Sequence, residues 1–501
     1  MLPRPPERLG LRVKSFLAAE WRALAIVGLL CASVIVQTHW FRNSTSVTVD
    51  ETFYLSLSIR SVGHRALAGG FMRAGVAPLP MILNYFPTLR RDAIQDDDRS
   101  HPWIGRPGDG QLIALPRLLT TLTSLVPLVA LAFFWLKARR GLFAATFGAG
   151  LLAFSPTLLA HASLATLDST FAFHATLATI AIGAYFRRPS RLRLVAAAFA
   201  TSLAASAKYT GILLVPCFLL SLSVRNIADL LRSRKAGAIS AGLTWSKHVR
   251  PGVVYFALTF VFTWMLHGFQ LGGSGRLVTF REPSQNNISM RSLGPGFPGR
   301  QLAQIAEAKV EVPGFIRAMR FQLLHNRRGH PAFLMGMRST QGWWYYFPVA
   351  LLLKSTFAEL FLVLSCSALL VFSLARFTLR FPSRDPQRAM LFLFGLALSV
   401  LLVRSHINIG HRYAIALYPV AVLGCTDLLA EVLAGRKRLL RTAGAALLAT
   451  QVATSLATAP HYLSYFNRLA GGSDQGWKYL ADSNIDWGQD LPALRRLIER
   501  E

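Results

Sequence analysis

The sequence is poor in charged residues, and acidic residues are the scarcer kind. Only 16% of its 501 residues are charged, with 24 Asp and Glu against 54 Lys and Arg, while 52% are hydrophobic. The mean hydropathy is +0.39. A soluble domain of this size needs a larger polar surface. The composition therefore argues against an ordinary soluble protein and predicts a membrane protein.

The net charge of +30 would suit a nucleic-acid-binding protein, but the positions of the basic residues indicate otherwise. Many of them form short runs between apolar stretches, as at 137–140, 187–193 and 436–441. Lys and Arg in such positions flank membrane helices on the cytoplasmic side, because they resist translocation and favour anionic headgroups. We therefore expect membrane lipids, and no nucleic acid, among the partners.

Several signatures of chemistry are missing from the sequence. The four cysteines lie in apolar stretches without CxxC spacing, which is typical of small buried hydrophobic residues. P-loop and HExxH motifs do not occur, and no internal repeat is visible. The first apolar segment, 23–40, lacks a small-x-small cleavage site, which predicts a retained membrane anchor.

Apolar segments of about the length of a membrane span recur along the chain. A span needs about 20 mostly apolar residues to cross roughly 30 Å of hydrocarbon. Such segments occur at about 22–40, 112–136, 142–163, 169–186, 192–207, 209–224, 252–268, 346–375, 389–404, 413–434 and 441–458. The pattern predicts an all-α polytopic membrane protein with about eleven transmembrane helices.

The basic runs fall on alternate connections between these segments, which assigns the N-terminus to the cytoplasm and the C-terminus to the opposite side. The non-cytoplasmic side then carries the loops 41–111 and 269–345 and the segment 459–501. We expect residues 1–458 to form one transmembrane domain that includes both loops. The segment 459–501 is either a short tail or the beginning of a longer soluble one, and an active site should lie on this side.

Two acidic sites lie at the outer ends of predicted spans. Asp50 and Glu51 follow the first span, where adjacent carboxylates either cap a surface helix or serve chemistry. Asp168 is the one ionisable residue in a very short link between two spans. Acidic residues at membrane depth are costly and are candidates for function, with capping of the next helix as the alternative.

Basic residues also lie at outer ends of spans, where the positive-inside rule gives no reason for them. They are Lys208, Lys354 and Arg412, with His411 beside the arginine. Each lysine alone could simply extend to the headgroups. Together with the acidic sites, the basic residues indicate a different chemistry. Several cations would bind a phosphate leaving group, and a carboxylate would accept the proton of an acceptor hydroxyl.

These segments resemble the GT-C superfamily of glycosyltransferases that use polyprenyl-phosphate-linked sugars, in particular protein O-mannosyltransferases and the aminoarabinose transferase that modifies lipid A. The matching motifs are Asp50-Glu51 after the first span, LLAFSPTLLAHASLATLD ending at Asp168, SLAASAKYTG, WWYYFPVALLLKST, INIGHRYAIALYP, and PHYLSYFNRLAGG followed by DSNIDWGQDL. The resemblance runs through nearly the whole chain and implies a GT-C-like helix bundle with its active site in the non-cytoplasmic loops.

The resemblance also implies roles for individual residues. Asp50 matches the catalytic carboxylate of the family, Asp168 matches its second acidic residue, and the basic residues match those that contact the carrier phosphate. Glu51 departs from branches that keep only one acidic residue there, so its role stays open. The implied reaction is an inverting sugar transfer to a protein, lipid or glycan acceptor, with the lipid supplying the activated sugar.

Two further points stay open at this stage. A divalent metal near Asp50 is compatible with the carboxylates, although the sequence shows no full ligand set. A membrane transporter or lipid flippase is the alternative function, with the same charged residues lining a pathway at mid-bilayer depth. The sequence shows neither the inverted repeat nor the paired broken helices of that class, and its ionisable residues cluster at one face.

Overall fold

The structure is a computed structural model, and it describes residues 5–63, 69–89, 108–235, 245–276, 309–375 and 385–500. Helices dominate these ranges. They are α1 (Pro5–Ser44), α2 (Val49–Gly63), α3 (Gly69–Arg73), α4 (Asp109–Thr123), α5 (Leu125–Arg140), α6 (Leu142–Ala153), α7 (Pro156–Ala162), α8 (Asp168–Arg187), α9 (Arg191–Ala207), α10 (Leu214–Lys235), α11 (Arg250–Leu266), α12 (Gly314–Arg328), α13 (Tyr346–Lys354), α14 (Phe357–Ala375), α15 (Pro386–Val403), α16 (Leu417–Val432), α17 (Lys437–Thr458) and α18 (Leu491–Ile498).

Two short antiparallel strand pairs interrupt the helices. They are β1 (Leu271–Arg276) with β2 (Lys309–Pro313), and β3 (Ala332–Leu334) with β4 (Met337–Ser339). A single bridge between Leu334 and Leu480 joins the second pair to the chain after α17. This hairpin therefore connects the loop before α13 with the C-terminal segment of the protein.

Helices occupy all the predicted membrane segments, which confirms an all-α integral membrane protein, but they are not eleven uninterrupted spans. By length and composition, six helices in the described ranges can cross a membrane, or seven if α6 and α7, bent by 59°, count as one. Two others, α9 and α11, have 17 residues each. The predicted number of eleven is thus not confirmed.

The predicted span 346–375 is divided into α13 and α14 by a local hydrogen-bond motif. Thr356 N–H donates to Glu359 Oε2 at 2.8 Å, and Glu359 N–H donates to Thr356 Oγ1 at 3.2 Å. This reciprocal pair is a capping box, which satisfies backbone donors at the first turn of a helix. A new helix therefore begins there, and Lys354 lies at the end of the preceding one.

The centre of the bundle is built by helices with many small residues. Helix α8 packs against α9 and α15, and α16 packs against α6 and α15. Alanines on both α8 and α9 are fully buried, among them Ala172, Ala175, Ala197 and Ala204. Small side chains allow two helix backbones to approach closely, which is the usual means of helix association in membranes. This packing fixes where the ends of α8 and α9 lie relative to α15 and α16.

A cluster of ion pairs lies at the C-terminal end of α16. The side chain of Asp427 is fully buried and accepts hydrogen bonds from Arg139 Nε (2.8 Å), Arg139 Nη2 (2.9 Å) and Arg140 Nε (2.8 Å). Arg139 also pairs with Asp385. The basic run 137–140 is thus paired with acidic residues. It lies at the opposite end of the 16-residue α16 from Arg412, about 24 Å away along the helix.

We expect Asp427→Asn to lower the stability of the protein. Three arginines, Arg139, Arg140 and Arg388, would lose a buried charge partner, and breaking such a buried pair costs about 3–5 kcal/mol. The measurement is the midpoint of thermal unfolding in detergent. Glu431→Gln is the matched control, because Glu431 lies on the same helix and pairs with Arg140 while its side chain is 49% exposed. That exposed pair should contribute about 0–1 kcal/mol, so equal losses in both variants would contradict the prediction.

Candidate active site

Four charged side chains from distant parts of the sequence contact one another in a row, which we call the charged chain. Its members are Asp50, Arg412, Asp168 and Lys208. Arg412 Nη1 donates to Asp50 Oδ2 at 2.7 Å and lies 3.7 Å from Asp168 Oδ2. Lys208 Nζ donates to Asp168 Oδ1 at 2.6 Å. Asp168 and Arg412 are buried, with 3% and 8% of their side chains exposed, while Asp50 and Lys208 are each 17% exposed. The two carboxylates and the two cations balance in charge.

Each of the four residues lies at the end of a helix or in a turn next to one. Asp50 is in the first turn of α2, Asp168 is the first residue of α8, and Lys208 follows the last residue of α9. Arg412 lies in a 3-10 turn, His411–Ala414, just before α16. Carboxylates are favoured at helix N-termini because the first backbone N–H groups carry partial positive charge. The local sequence therefore stabilises both acidic residues where they lie.

Aromatic rings cover both cations. The Lys208 ammonium lies 4.3 Å from the ring centre of Tyr413, and the Arg412 guanidinium carbon lies 3.9 Å from that of Trp487. Such contacts orient a cation without using its N–H donors. Arg412 Nε is buried and has no hydrogen-bond partner within the described part of the chain. Lys208 donates one of its three N–H groups to Asp168. The pair of cations therefore keeps donors for a ligand.

Glu51 lies next to this chain but is engaged in other contacts. Arg117 Nε and Nη2 donate to its two carboxylate oxygens at 2.7 and 2.6 Å. The N–H groups of Thr48 and Ala165 donate to the same oxygens at 2.9 and 2.8 Å. Burial raises the pKa of Glu51, but Arg117 and the two backbone donors outweigh it, so the pKa is lowered. Glu51 is thus a buried carboxylate with both oxygens occupied.

The sequence left two alternatives open for the adjacent carboxylates, capping of a surface helix or a chemical role. The structure places Glu51 in the capping position and Asp50 in the charged chain. Glu51 accepts from the backbone N–H and the hydroxyl of Thr48 at the start of α2, the first of which is one half of a capping box, while Asp50 faces Arg412. The sequence contained the signal for the capping role, because Thr-x-x-Glu is the pattern of a capping box. Arg117, which sequence reasoning missed, also had a signal. It is a charged residue inside a predicted span, and such residues are costly enough to have a partner.

Lys354 and His411, both predicted to bind phosphate, lie outside the chain of four charges. Lys354 Nζ donates to the backbone carbonyls of Leu463 and Asn484 at 2.7 and 2.6 Å, and it is buried. The ring of His411 contacts Tyr418 Oη at 3.0 Å. Both side chains are bonded to groups of the protein interior, and no direct contact of either with Asp50 or Asp168 occurs among the described contacts.

The motif DSNIDWGQDL, for which the sequence offered no role, forms a wall of the site. Asn484 Oδ1 accepts from the backbone N–H of His411 at 2.8 Å, and Asn484 Nδ2 donates to Tyr346 Oη at 3.0 Å. The carbonyl of Trp487 accepts from the N–H of Val49 at 3.1 Å. The C-terminal segment 479–490 is therefore bonded to the turn that carries Arg412 and to the start of the helix that carries Asp50.

A cleft of about 870 Å³ opens beside these elements. Its walls are the β3–β4 hairpin, the pair Asn408–Ile409 and the pair Ala481–Asp482. Asn408 and Ile409 precede the Arg412 turn by only a few residues, and Asp482 precedes Asn484. The cleft therefore adjoins the turn that carries Arg412, although none of the four charged side chains is among the residues that line it.

The geometry around Asp50 does not favour the divalent metal that the sequence left open. Within the described ranges, no group of three or more His, Cys, Asp and Glu side chains is placed to hold a metal ion. Asp50 and Asp168 are bridged by the Arg412 guanidinium, whose positive charge opposes a cation between them. The residues present therefore fit an anionic ligand better than a metal.

No protein-family model matches the chain, and no curated protein matches it. The solved structures that are similar to it include two of ArnT from Cupriavidus metallidurans. The structure with bound undecaprenyl phosphate has a TM-score of 0.42 and 17% identity, covering 89% of this chain and 67% of that chain. The apo structure has a TM-score of 0.40 and 15% identity, covering 88% of this chain and 66% of that chain.

Proposed function

We propose that this protein is a membrane glycosyltransferase that moves a sugar from a polyprenyl-phosphate carrier to an acceptor on the non-cytoplasmic side, with inversion. The observation that carries the proposal is the contact chain Asp50–Arg412–Asp168–Lys208. It combines a carboxylate with two cations that retain donors, in a site made of helix ends. A transfer from a sugar phosphate requires these two kinds of group side by side.

The cations act on the leaving group. When the bond between the sugar carbon and the phosphate oxygen breaks, its electron pair goes to the phosphate and the negative charge there grows. Donors held in place before the reaction stabilise that charge without further reorganisation. Arg412 would contribute its unpaired Nε, and Lys208 would contribute its remaining N–H groups. Lys354 contributes indirectly, because it donates a hydrogen bond to the Asn484 carbonyl in the segment that contains Trp487.

Asp50 acts on the acceptor. Its carboxylate takes the proton of the acceptor hydroxyl while that oxygen forms the new bond to the sugar carbon. Arg412 now donates to Asp50 Oδ2, and a phosphate bound to Arg412 would compete for that guanidinium. Donor binding would thereby release Asp50 Oδ2 to accept the acceptor hydroxyl. Asp168 balances the charge of Lys208 and Arg412 and keeps both in place. Glu51 acts as a positioning residue.

One observation favours the alternative of a lipid flippase. The break between α6 and α7, with its 59° bend, is a discontinuous helix of the kind that transporters use at their binding sites. The charged chain, however, is made of helix ends and lies away from the middle of α16. We therefore propose the transferase, and formation of a glycosylated product separates it from translocation of an unchanged lipid.

We expect Asp50→Asn to abolish transfer while expression and membrane insertion stay normal. Removal of a general base typically lowers the rate by about 10²–10⁴-fold. The measurement is the release of polyprenyl phosphate from its sugar-linked form by purified protein. Glu51→Gln is the control, because it removes the adjacent carboxylate: it should lower the thermal midpoint, by weakening the pair with Arg117, more than it lowers turnover. An Asp50→Asn protein with more than about a third of wild-type turnover would remove Asp50 from the mechanism, given the loss expected for a base.

We expect Arg412→Ala to weaken donor binding and to slow bond cleavage. A charge-assisted contact to phosphate contributes on the order of 1.5–3 kcal/mol, or about ten- to a hundredfold. Arg412→Lys should recover only part of this, because an ammonium lacks the planar fork of a guanidinium. The measurements are apparent donor affinity and turnover for the three proteins. Full recovery with Lys, or unchanged donor kinetics in both variants, would assign Arg412 to membrane anchoring instead.

We expect the site to face away from the cytoplasm, with the N-terminus inside. A cysteine introduced at Ser473, in the segment after α17, should react with a membrane-impermeant reagent in intact cells. An N-terminal tag should be accessible only after permeabilisation. Ser284, in the loop 269–345, is a second labelling position and lies outside the described residues. Labelling at Ser473 only after permeabilisation would place the active site on the cytoplasmic side and overturn the proposed topology.

A further inference from the structure

The ring of Trp487 contacts one member of the charged chain, and its main chain contacts the residue next to another member. Its ring centre lies 3.9 Å from the Arg412 guanidinium carbon. Its carbonyl oxygen accepts a hydrogen bond from the N–H of Val49, the residue directly before Asp50. The C-terminal segment 479–490 therefore links the guanidinium to the start of α2 through a single residue.

We infer that Trp487 is a positioning residue for the donor-phosphate site: its ring holds the plane of the Arg412 guanidinium so that the unpaired Nε remains available to a phosphate. The inference rests on the proposed function and specifies how that site is kept in order. It assigns a role to a motif, DSNIDWGQDL, that the resemblance alone left without one.

The geometry of Arg412 shows why such a residue is needed. Its strong polar contact is a single hydrogen bond from Nη1 to Asp50, and the distance to Asp168 is longer, at 3.7 Å. A guanidinium held at one nitrogen can rotate about that contact. Rotation would direct Nε towards another acceptor and away from the ligand. A flat ring against its face restricts the rotation and leaves all the remaining N–H groups unused.

The main chain at Trp487 is itself held in place. The backbone N–H of Trp487 donates to Gln489 Oε1 at 2.6 Å, and the neighbouring Gly488 carbonyl accepts from Ser46 Oγ at 2.6 Å. Trp487 is 6% exposed, whereas a tryptophan that anchors a protein at the membrane interface keeps its indole among the headgroups. Trp477, which is also in the C-terminal segment 459–501, is 63% exposed and fits that anchoring role. Of these two tryptophans, Trp487 is the one that is buried against a cation.

The first test is binding of undecaprenyl phosphate, the carrier in the similar ArnT structure, to the purified protein. Trp487→Leu removes the ring face and should weaken binding by about three- to thirtyfold, the loss expected for one cation–π contact. Trp487→Phe should restore most of the affinity because it retains an aromatic face. Trp477→Leu is the matched control, with the same change in the same segment, and should bind as the wild type does. Unchanged affinity in Trp487→Leu would overturn the inference.

A double-mutant cycle with Arg412→Ala distinguishes positioning from a general structural effect. If Trp487 acts through the guanidinium, Trp487→Leu should cause no further loss of affinity in the Arg412→Ala protein. An additional loss of the full size there would show that Trp487 supports the fold instead, and would overturn the inference. Wild-type protein that does not bind undecaprenyl phosphate would overturn the proposed function itself, which is a different result from unaltered binding in the variants.

A series of fluorinated tryptophans at position 487 covers the case in which Trp487→Leu does not fold. Fluorine withdraws electron density from the ring face while leaving its size nearly unchanged. The attraction of the ring for a guanidinium depends on that density, so the affinity for undecaprenyl phosphate should decrease stepwise with the number of fluorines. A merely structural ring would give constant affinity across the series, and that outcome would refute the positioning role.

Discussion

The buried ion pair between Glu51 and Arg117 is the contact on which the geometry of the site depends. Arg117 on α4 holds both oxygens of Glu51 and also donates to the carbonyl of Ser46, so it fixes the chain that enters α2. The same carboxylate accepts from the N–H of Ala165, three residues before Asp168. One ion pair therefore sets the position of Asp50 relative to Asp168. Its desolvation cost is offset because every strong contact of the carboxylate is with a positive charge or a donor.

The second constraint is that one guanidinium serves two carboxylates. Arg412 contacts Asp50 and Asp168, and Lys208 balances the charge of Asp168. Two buried and two partly buried charges without such pairing would be costly at the edge of a membrane, where water cannot solvate them fully. With it, the cluster is neutral as a whole, and Arg412 Nε has no hydrogen-bond partner among the described residues.

The two ends of the bundle pair the same types of side chain, carboxylates with basic residues, in different ways. At the C-terminal end of α16, Asp427 is saturated by arginines, and this cluster leaves no acceptor on the aspartate for anything else. At the other end, before α16, the cations are only partly engaged and are covered by Tyr413 and Trp487. Charged groups whose hydrogen-bonding capacity is used by other residues stabilise the fold, whereas charged groups with unused donors beside a cleft can also bind a ligand. This difference in saturation distinguishes the structural cluster from the candidate active site.

The local features of this protein were determined by its sequence. Apolar segments and basic runs predicted the membrane helices, because span length and flanking charge are properties of contiguous residues. The positions of Asp50, Asp168, Lys208 and Arg412 at helix ends followed from the same pattern.

Only the tertiary structure decided what each of these residues contacts. The Thr356–Glu359 capping box divides one predicted span, and bends between adjacent helices leave fewer continuous spans than the apolar segments suggested. Lys354 donates hydrogen bonds to two backbone carbonyls rather than joining the charged chain, and the ring of Trp487 covers the Arg412 guanidinium. Arg412 and Asp50 are 362 residues apart, so their contact depends on how α2, α8 and α16 pack. Spacing along the chain carries no information about such a distance, because packing of many small side chains sets it.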